Sequence, residues 1–256
     1  MLATPFYKGQ GLGNQLANYV TVRTLALDKG YEFGVQFPEN FKGKDFMHLD
    51  MGEYVTGGMT LVEGNTPFVL PERIERYYRE EMIGNGEYDP KIKDLPDNTL
   101  IHGNLQGENY FKHRKDEIRE WLKPNYLWEE DCCVINFRGG EYKYVPEFFL
   151  PRSYWDKAIE CMRQIKPDMK FRVVTDDVDE AKKFFVEGMP ITHDMANDYS
   201  SIQSANYLIL SNSSFAFFPA WLNQNVKKII APKFWGRHNK GYWFLEQNKT
   251  EGWDYI

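Results

Sequence analysis

The sequence predicts an α/β fold made of two lobes, each with a doubly wound parallel sheet. Three observations predict it. Short apolar runs alternate with longer amphipathic segments through residues 132–230, and strands alternating with helices imply parallel pairing through crossover connections. The 256 residues suffice for one large domain or two small ones, and a break falls at Lys123-Pro124-Asn125. Several apolar runs end in glycine-rich or hydroxyl-rich turns that enter helices, the place where open α/β sheets bind ligands. The lobes are expected at 1–124 and 125–256, facing each other across a cleft.

The elements follow in order. An apolar start around Phe6 and Tyr7 reads as the first strand. Gly9-Gln10-Gly11-Leu12-Gly13-Asn14-Gln15 then leads into a helix over 14–29, whose Leu16, Val20, Leu25 and Leu27 are spaced for one broad face. A strand at 31–36 precedes an irregular stretch rich in Gly and Pro. A helix at 72–78, a strand at 99–103 and a charged helix at 116–122 complete the first lobe; residues 37–97 carry no recognisable motif. In the second lobe a strand at 132–137 leads to a helix at 152–166, with Tyr154, Ala158, Ile159, Met162 and Ile165 on one stripe. Strand 170–175 leads to helix 178–185, strand 190–192 to helix 198–205, strand 207–210 to helix 213–222, and strand 226–230 closes the series.

Composition sets bounds. Hydrophobic residues at 42% support a core, and a net charge of −6 argues against a nucleic-acid binder while leaving room for a local basic site. Cys132, Cys133 and Cys161 are odd in number and two are adjacent. Neighbouring strand residues face opposite sides of a sheet, so no disulfide framework is expected. No Cys/His zinc spacing, signal segment or apolar run of the ~20 residues that span a membrane is present. The expectation is a soluble, cytoplasmic protein, and the sequons at Asn212 and Asn248 are then accidental.

Three turns carry the chemistry. Asn136-Phe137-Arg138-Gly139-Gly140-Glu141-Tyr142 puts one arginine at the mouth of an apolar strand, where its planar fork can grip a phosphate and glycines allow close approach. Gly11, Gly13 and Asn14 at the first helix start make an anion-friendly turn. The spacing fits neither G-x-G-x-x-G nor a P-loop, so a plain tight turn stays open. Asn212, Ser213, Ser214 and Phe215 sit at a strand-to-helix junction, where hydroxyls act as helix caps, phosphate donors, or both.

With these segments in place, the chain resembles glycosyltransferase family 11, the α-1,2-fucosyltransferases. The family's Gly-Leu-Gly-Asn-Gln opening matches Gly11 to Gln15. Its G-Y-x-Q-S-E-x-Y-F segment is similar to Gly103 to Phe111, and its H-x-R-R-G-D-Y signature to Asn136 through Tyr142. L-P-x-S-Y-Y is matched by Leu150 to Trp155, Ser-Asp-Asp by Thr175-Asp176-Asp177, and N-S-T-F-S-W-W-G-A-W-L by Asn212 to Leu222. The endings Ala231-Pro232-Lys233-x-Trp235 and Glu251-Gly252-Trp253 are also similar. The chain departs at Asn136 for the histidine, Gly139 for the second arginine and Glu141 for the aspartate.

The resemblance implies a GT-B fold and inverting, metal-independent transfer of fucose from GDP-fucose to a glycan hydroxyl, without a cofactor, in a chain of the bacterial or viral kind. The first lobe would serve the acceptor and the second the donor. Arg138 would hold the diphosphate, with Ser213, Ser214 and the Phe215 N–H as further donors. Asp176 or Asp177 would accept from ribose or guanine, Asn14 would reach the sugar or phosphate, and Asn136 and Asn212 would shape the nucleotide site. Glu141 could take the acceptor's proton, or simply pair with Arg138; Glu108 could touch a substrate or start a helix. Asp177-Val178-Asp179 also reads as a metal-holding D-x-D. Another nucleotide sugar, or binding without turnover, stays open beside fucosyl transfer. Acceptor, linkage and oligomeric state are not legible.

Overall fold

The computed structural model describes residues 1–55, 57–63, 88–103, 105–127, 131–146, 148–233 and 249–256. The expected helix at 72–78 and the motif residues Asn104, Trp235 and Asn248 lie outside the described residues. The chain divides into two compact units, Met1–Lys123 and Pro124–Ile256.

The first unit holds a parallel sheet of β1 (Leu2–Pro5), β2 (Phe33–Gln36), β3 (Thr60–Glu63) and β4 (Thr99–His102), in the order β2-β1-β4-β3. Helix α1 (Leu12–Lys29) crosses from β1 to β2, and α2 (Lys115–Trp121) follows β4. Leu16, Val20 and Leu25 of α1 are buried, but Leu27, expected on the same face, is 45% exposed. Gly30 ends α1 in the left-handed region (φ 67°), its N–H bonded to the carbonyls of Ala26 and Leu27, the usual glycine stop. β1 lies earlier than Phe6 and Tyr7 suggested: Phe6 follows the strand, buried and stacked on Phe41.

The second unit holds β5 (Cys133–Phe137), β6 (Phe171–Thr175), β7 (Ile191–Thr192), β8 (Tyr207–Ile209), β9 (Lys228–Ala231) and β10 (Asp254–Tyr255). Its order is β10-β9-β8-β5-β6-β7, with every pair parallel. Helices α3 (Arg152–Ile165), α4 (Val178–Phe184), α5 (Met195–Ser204) and α6 (Ser214–Leu222) make the crossovers. Chain order runs outward from β5 to β7, returns to β8 beside β5, then runs outward the other way. The reversal lies between β5 and β8, and beyond the carboxyl ends of those strands such sheets bind ligands.

Period-2 alternation builds two cores. Cys133, Ile135 and Phe137 pack with Trp155, Ala158 and Met162 of α3 and Ala181 of α4. Cys132 and Val134 pack on the other face with Ile202 of α5 and Ala216 and Ala220 of α6. The adjacent cysteines therefore enter different cores, both as free thiols. Ile165 at the end of the expected α3 stripe is 48% exposed. α5 begins at Met195 rather than 198, because Asp194 caps it and accepts from the Asn197 N–H. β9 does not close the sheet; β10 adds to its edge. Among the described residues no helix is long and apolar enough to cross a membrane.

Candidate functional site

The register of β5 on β6 ends at Phe137 beside Thr175. The next residue on each strand, Arg138 and Asp176, emerges alongside the other, and their side chains form an ion pair. Arg138 Nη2 also donates to Glu141 Oε1 at 3.0 Å, and the guanidinium lies 5.1 Å from the centre of the Tyr142 ring. Asp176 Oδ1 accepts the Gly139 N–H at 2.9 Å. One carboxylate thus holds both the arginine and the turn that follows it.

The two glycines serve this packing. A Cβ on Gly139 would stand 2.7 Å from Asp177 Cβ, and one on Gly140 (φ 22°) would stand 2.2 Å from Asp176 Oδ2. The sequence suggested that these glycines admit a ligand; what they admit here is a pair of aspartates. Asp177 caps α4, accepting the Glu180 N–H at 3.0 Å, and its other oxygen meets Lys143 Nζ at 2.5 Å. The lysine bond holds the Asp177 carboxyl below its ordinary range, with burial opposing it and the capping bond adding a smaller lowering, and the same lysine bond raises the Lys143 ammonium. Asp179, the other acid of the D-x-D, is 93% exposed beside Lys182. Glu141 lies at the surface, 71% exposed. The Tyr142 phenol is pushed up by burial. Among the described residues no group of three or more His, Cys, Asp or Glu is placed to hold a metal.

Across the strand reversal, Ser211 Oγ donates to Asn136 Oδ1 at 2.7 Å, both side chains buried. This bond ties the end of β5 to the turn after β8. Asn212 Nδ2 donates to the Phe148 carbonyl at 3.0 Å. Ser213 occupies the N-cap position of α6 without a side-chain capping bond, in contrast to Asp177 and Asp194. The first-turn N–H groups of a helix lack intrahelical acceptors and carry the positive end of its dipole. Ser213, Ser214 and Phe215 thus present donors at the start of α6, which follows β8, the strand paired with the one that leads to Arg138.

Gly11, Gly13 and Asn14 belong to the first unit. Gly11 is the N-cap of α1, with no side-chain capping bond, and a Cβ there would meet nothing within 4 Å. Asn14 Oδ1 accepts from Gln106 Nε2 at 2.8 Å, so this side chain is engaged within its own unit. Asn18, one turn on, donates from Nδ2 to the Gly103 carbonyl at 2.9 Å and accepts the Gly103 N–H at 2.8 Å. Gln15 Nε2 donates to the Asn40 carbonyl at 2.8 Å, and its Oε1 accepts the Lys42 N–H at 3.0 Å. Glu108 opens a short 3-10 turn, Glu108–Tyr110.

Sequence reasoning missed Lys143 and Asn18, and gave no role to Ser211 and Gln106 within segments it singled out. A signal existed for Asn18: carboxamides at 14, 15 and 18 fall on a helix otherwise rich in apolar residues, and buried carboxamides need partners. Lys143 and Ser211 carry no such signal, because their partners are set by strand register.

No family model matches the chain. It is similar to an α-1,2-colitosyltransferase of Escherichia coli, 24% identical over 277 residues, spanning 88% of this chain and 89% of that protein. It is also similar to the O-antigen biosynthesis glycosyltransferase WbnK of Escherichia coli, 21% identical, spanning 94% and 95%. Among solved structures, the fucosyltransferase NodZ from Bradyrhizobium matches with a TM-score of 0.50 at 12% identity, covering 89% of this chain and 94% of that one. That likeness concerns fold. The chain has the α/β architecture of GT-B glycosyltransferases, as expected from its sequence.

Proposed function

We propose that this protein is a glycosyltransferase that moves a sugar from a nucleotide-diphosphate donor to a hydroxyl of a glycan, with inversion and without a metal, and that the donor is GDP-fucose. The observation that carries this reading is the placement of Arg138 and the uncapped start of α6 at the carboxyl ends of β5 and β8, bound together by the Asn136–Ser211 hydrogen bond. Relatedness to two glycosyltransferases supports the reaction class. The family 11 resemblance of the Arg138 and Asn212–Leu222 segments supports fucose and an α-1,2 linkage. The acceptor would be a saccharide handled in the cytoplasm, with the first unit on the acceptor side.

Breaking the bond between the sugar's anomeric carbon and the phosphate oxygen leaves negative charge on the departing diphosphate. Fixed donors aimed at that charge lower the barrier. Arg138 supplies the cation, and Ser213, Ser214 and the Phe215 N–H supply neutral donors along the same diphosphate. Glu141, exposed and hinged on the same turn, would accept the proton of the attacking hydroxyl. Asn136, fixed by Ser211, sets the wall of the nucleotide site.

A second reading, transfer of a different sugar such as colitosyl, is favoured by the name of the 24% identical relative and by the exchanges at Asn136 and Gly139. One experiment tests the nucleotide and the role of Arg138. Thermal shifts are measured with GDP, UDP, ADP, CMP and GDP-fucose, in chelator and again with a divalent metal ion, on the wild type and Arg138→Ala. A ligand that binds only the native state raises Tm with its affinity. GDP and GDP-fucose should stabilise selectively, with affinity about 10- to 100-fold weaker in Arg138→Ala, the value of a lost charged hydrogen bond. Selective stabilisation by another nucleotide overturns the donor, and stabilisation only with metal overturns the role given to Arg138.

A further inference from the structure

We propose that Asp176 is a positioning residue that acts through Arg138, rather than a group that binds ribose or base. The proposal rests on reading Arg138 as the residue that grips the diphosphate. Asp176 follows β6 as Arg138 follows β5, one step beyond the Phe137–Thr175 register pair, so the sheet itself delivers the two side by side. Its carboxylate then holds two consecutive residues of the opposite strand end. Oδ2 pairs with the Arg138 guanidinium, and Oδ1 takes the Gly139 N–H at 2.9 Å.

A carboxylate held at one oxygen by the Gly139 N–H restrains the guanidinium nitrogen paired with its other oxygen, as an aspartate orients the histidine of a catalytic triad, while Glu141 takes the other outer nitrogen. The space for this arrangement is built into the backbone. Gly140 has a positive φ of 22°, and any Cβ there would fall 2.2 Å from Asp176 Oδ2. Gly139 similarly makes room for Asp177, whose pair with Lys143 at 2.5 Å lies next to the Arg138–Asp176 pair along the chain. The carboxylate is therefore committed to the turn before any ligand arrives. Arg138 reaches the ligand side with its rotamer set in advance, which lowers the entropy lost on gripping a phosphate.

The test compares Asp176→Asn, Arg138→Ala and the double variant. The asparagine can keep the Gly139 N–H bond through Oδ1 while turning an N–H toward Arg138, so the turn survives and the guanidinium loses one of its two carboxylate partners, keeping Glu141. Binding is measured for GDP, inorganic pyrophosphate and guanosine. Asp176→Asn should weaken GDP and pyrophosphate by about tenfold, by analogy with the lower end for groups that stand behind metal ligands, despite removing one negative charge beside the anion. Guanosine should be unchanged, and the substitution should add little once Arg138 is alanine. A loss shared by guanosine, or full additivity with Arg138→Ala, overturns the proposal in favour of direct nucleoside contact. If the wild type binds neither GDP nor pyrophosphate, the functional reading fails, and the ligand-free protein decides the positioning role. Urea denaturation should then show Arg138→Ala and Asp176→Asn to be non-additive, and Asp176→Ala should speed hydrogen exchange of the Gly139 amide at least about tenfold. Additive stabilities with an unchanged amide overturn it.

Discussion

Replacing Asp198 with asparagine should stabilise the second unit at neutral pH and leave it nearly unchanged in acid. Asp198 is 4% exposed near the start of α5. Its Oδ1 accepts from Thr192 Oγ1 at 2.8 Å and its Oδ2 from the Asp194 N–H at 3.1 Å. Burial pushes its carboxyl up from 3.8 to about 6, helped by the charge of Asp194 and opposed by the two hydrogen bonds and His193. A carboxyl whose folded pKa is raised favours the folded state fully below 3.8, where both states hold the proton. Between that pH and about 6 the unfolded chain ionises first and stability falls; above it the loss is complete. At about 1.4 kcal/mol per pH unit the loss is about 3 kcal/mol. Asparagine can keep both contacts, accepting from Asp194 and donating to the Thr192 hydroxyl, which itself lies 3.5 Å from the Val173 carbonyl. Urea denaturation of both proteins from about pH 3.5 to about pH 7.5 measures the difference. The advantage of Asp198→Asn should grow with pH by about 3 kcal/mol. A flat difference, or one that shrinks as pH rises, refutes the reasoning.

Other perturbations test the rest of the structure. Gly140→Ala drives a methyl into Asp176 Oδ2; stability should drop by about 1–3 kcal/mol, and nucleotide binding should weaken along with Arg138→Ala, so wild-type stability in this variant contradicts the packing. Asn18→Leu removes both partners of the buried Gly103 peptide groups and should cost about 2–4 kcal/mol in chemical denaturation; a cost under about 1 kcal/mol would mean that water replaces the carboxamide.

The second sheet was legible because its central strands are buried on both faces and read as unbroken apolar runs, Cys132 to Ile135 and Tyr207 to Leu210 among them. β3 and β10 were not legible. Thr60-Leu61-Val62-Glu63 is an edge strand with Leu61 largely exposed, and Asp254-Tyr255 is too short to show a period. The start of α5 was placed late because His193-Asp194-Met195 carries no apolar stripe, although Asp194 is a cap that could have been recognised. Within the site, Arg138 and Ser213 stood out by position at strand ends. The partners of Asp176 and Asp177 did not, since they follow from the pairing of β5 with β6, which local sequence does not reveal.

The Asn18 clamp has an evolutionary consequence. Asn18 holds the chain after β4 by the N–H and carbonyl of Gly103, and Thr21 Oγ1 holds it by the carbonyl of Leu105 at 2.9 Å. These grips address peptide groups, which every residue except proline offers in full. The anchorage to α1 is therefore indifferent to which side chains stand at 103 and 105, and what constrains Leu105 is its own burial in the core. Exchanges here are felt through the packing of the side chains themselves and not through the loss of a grip on the backbone.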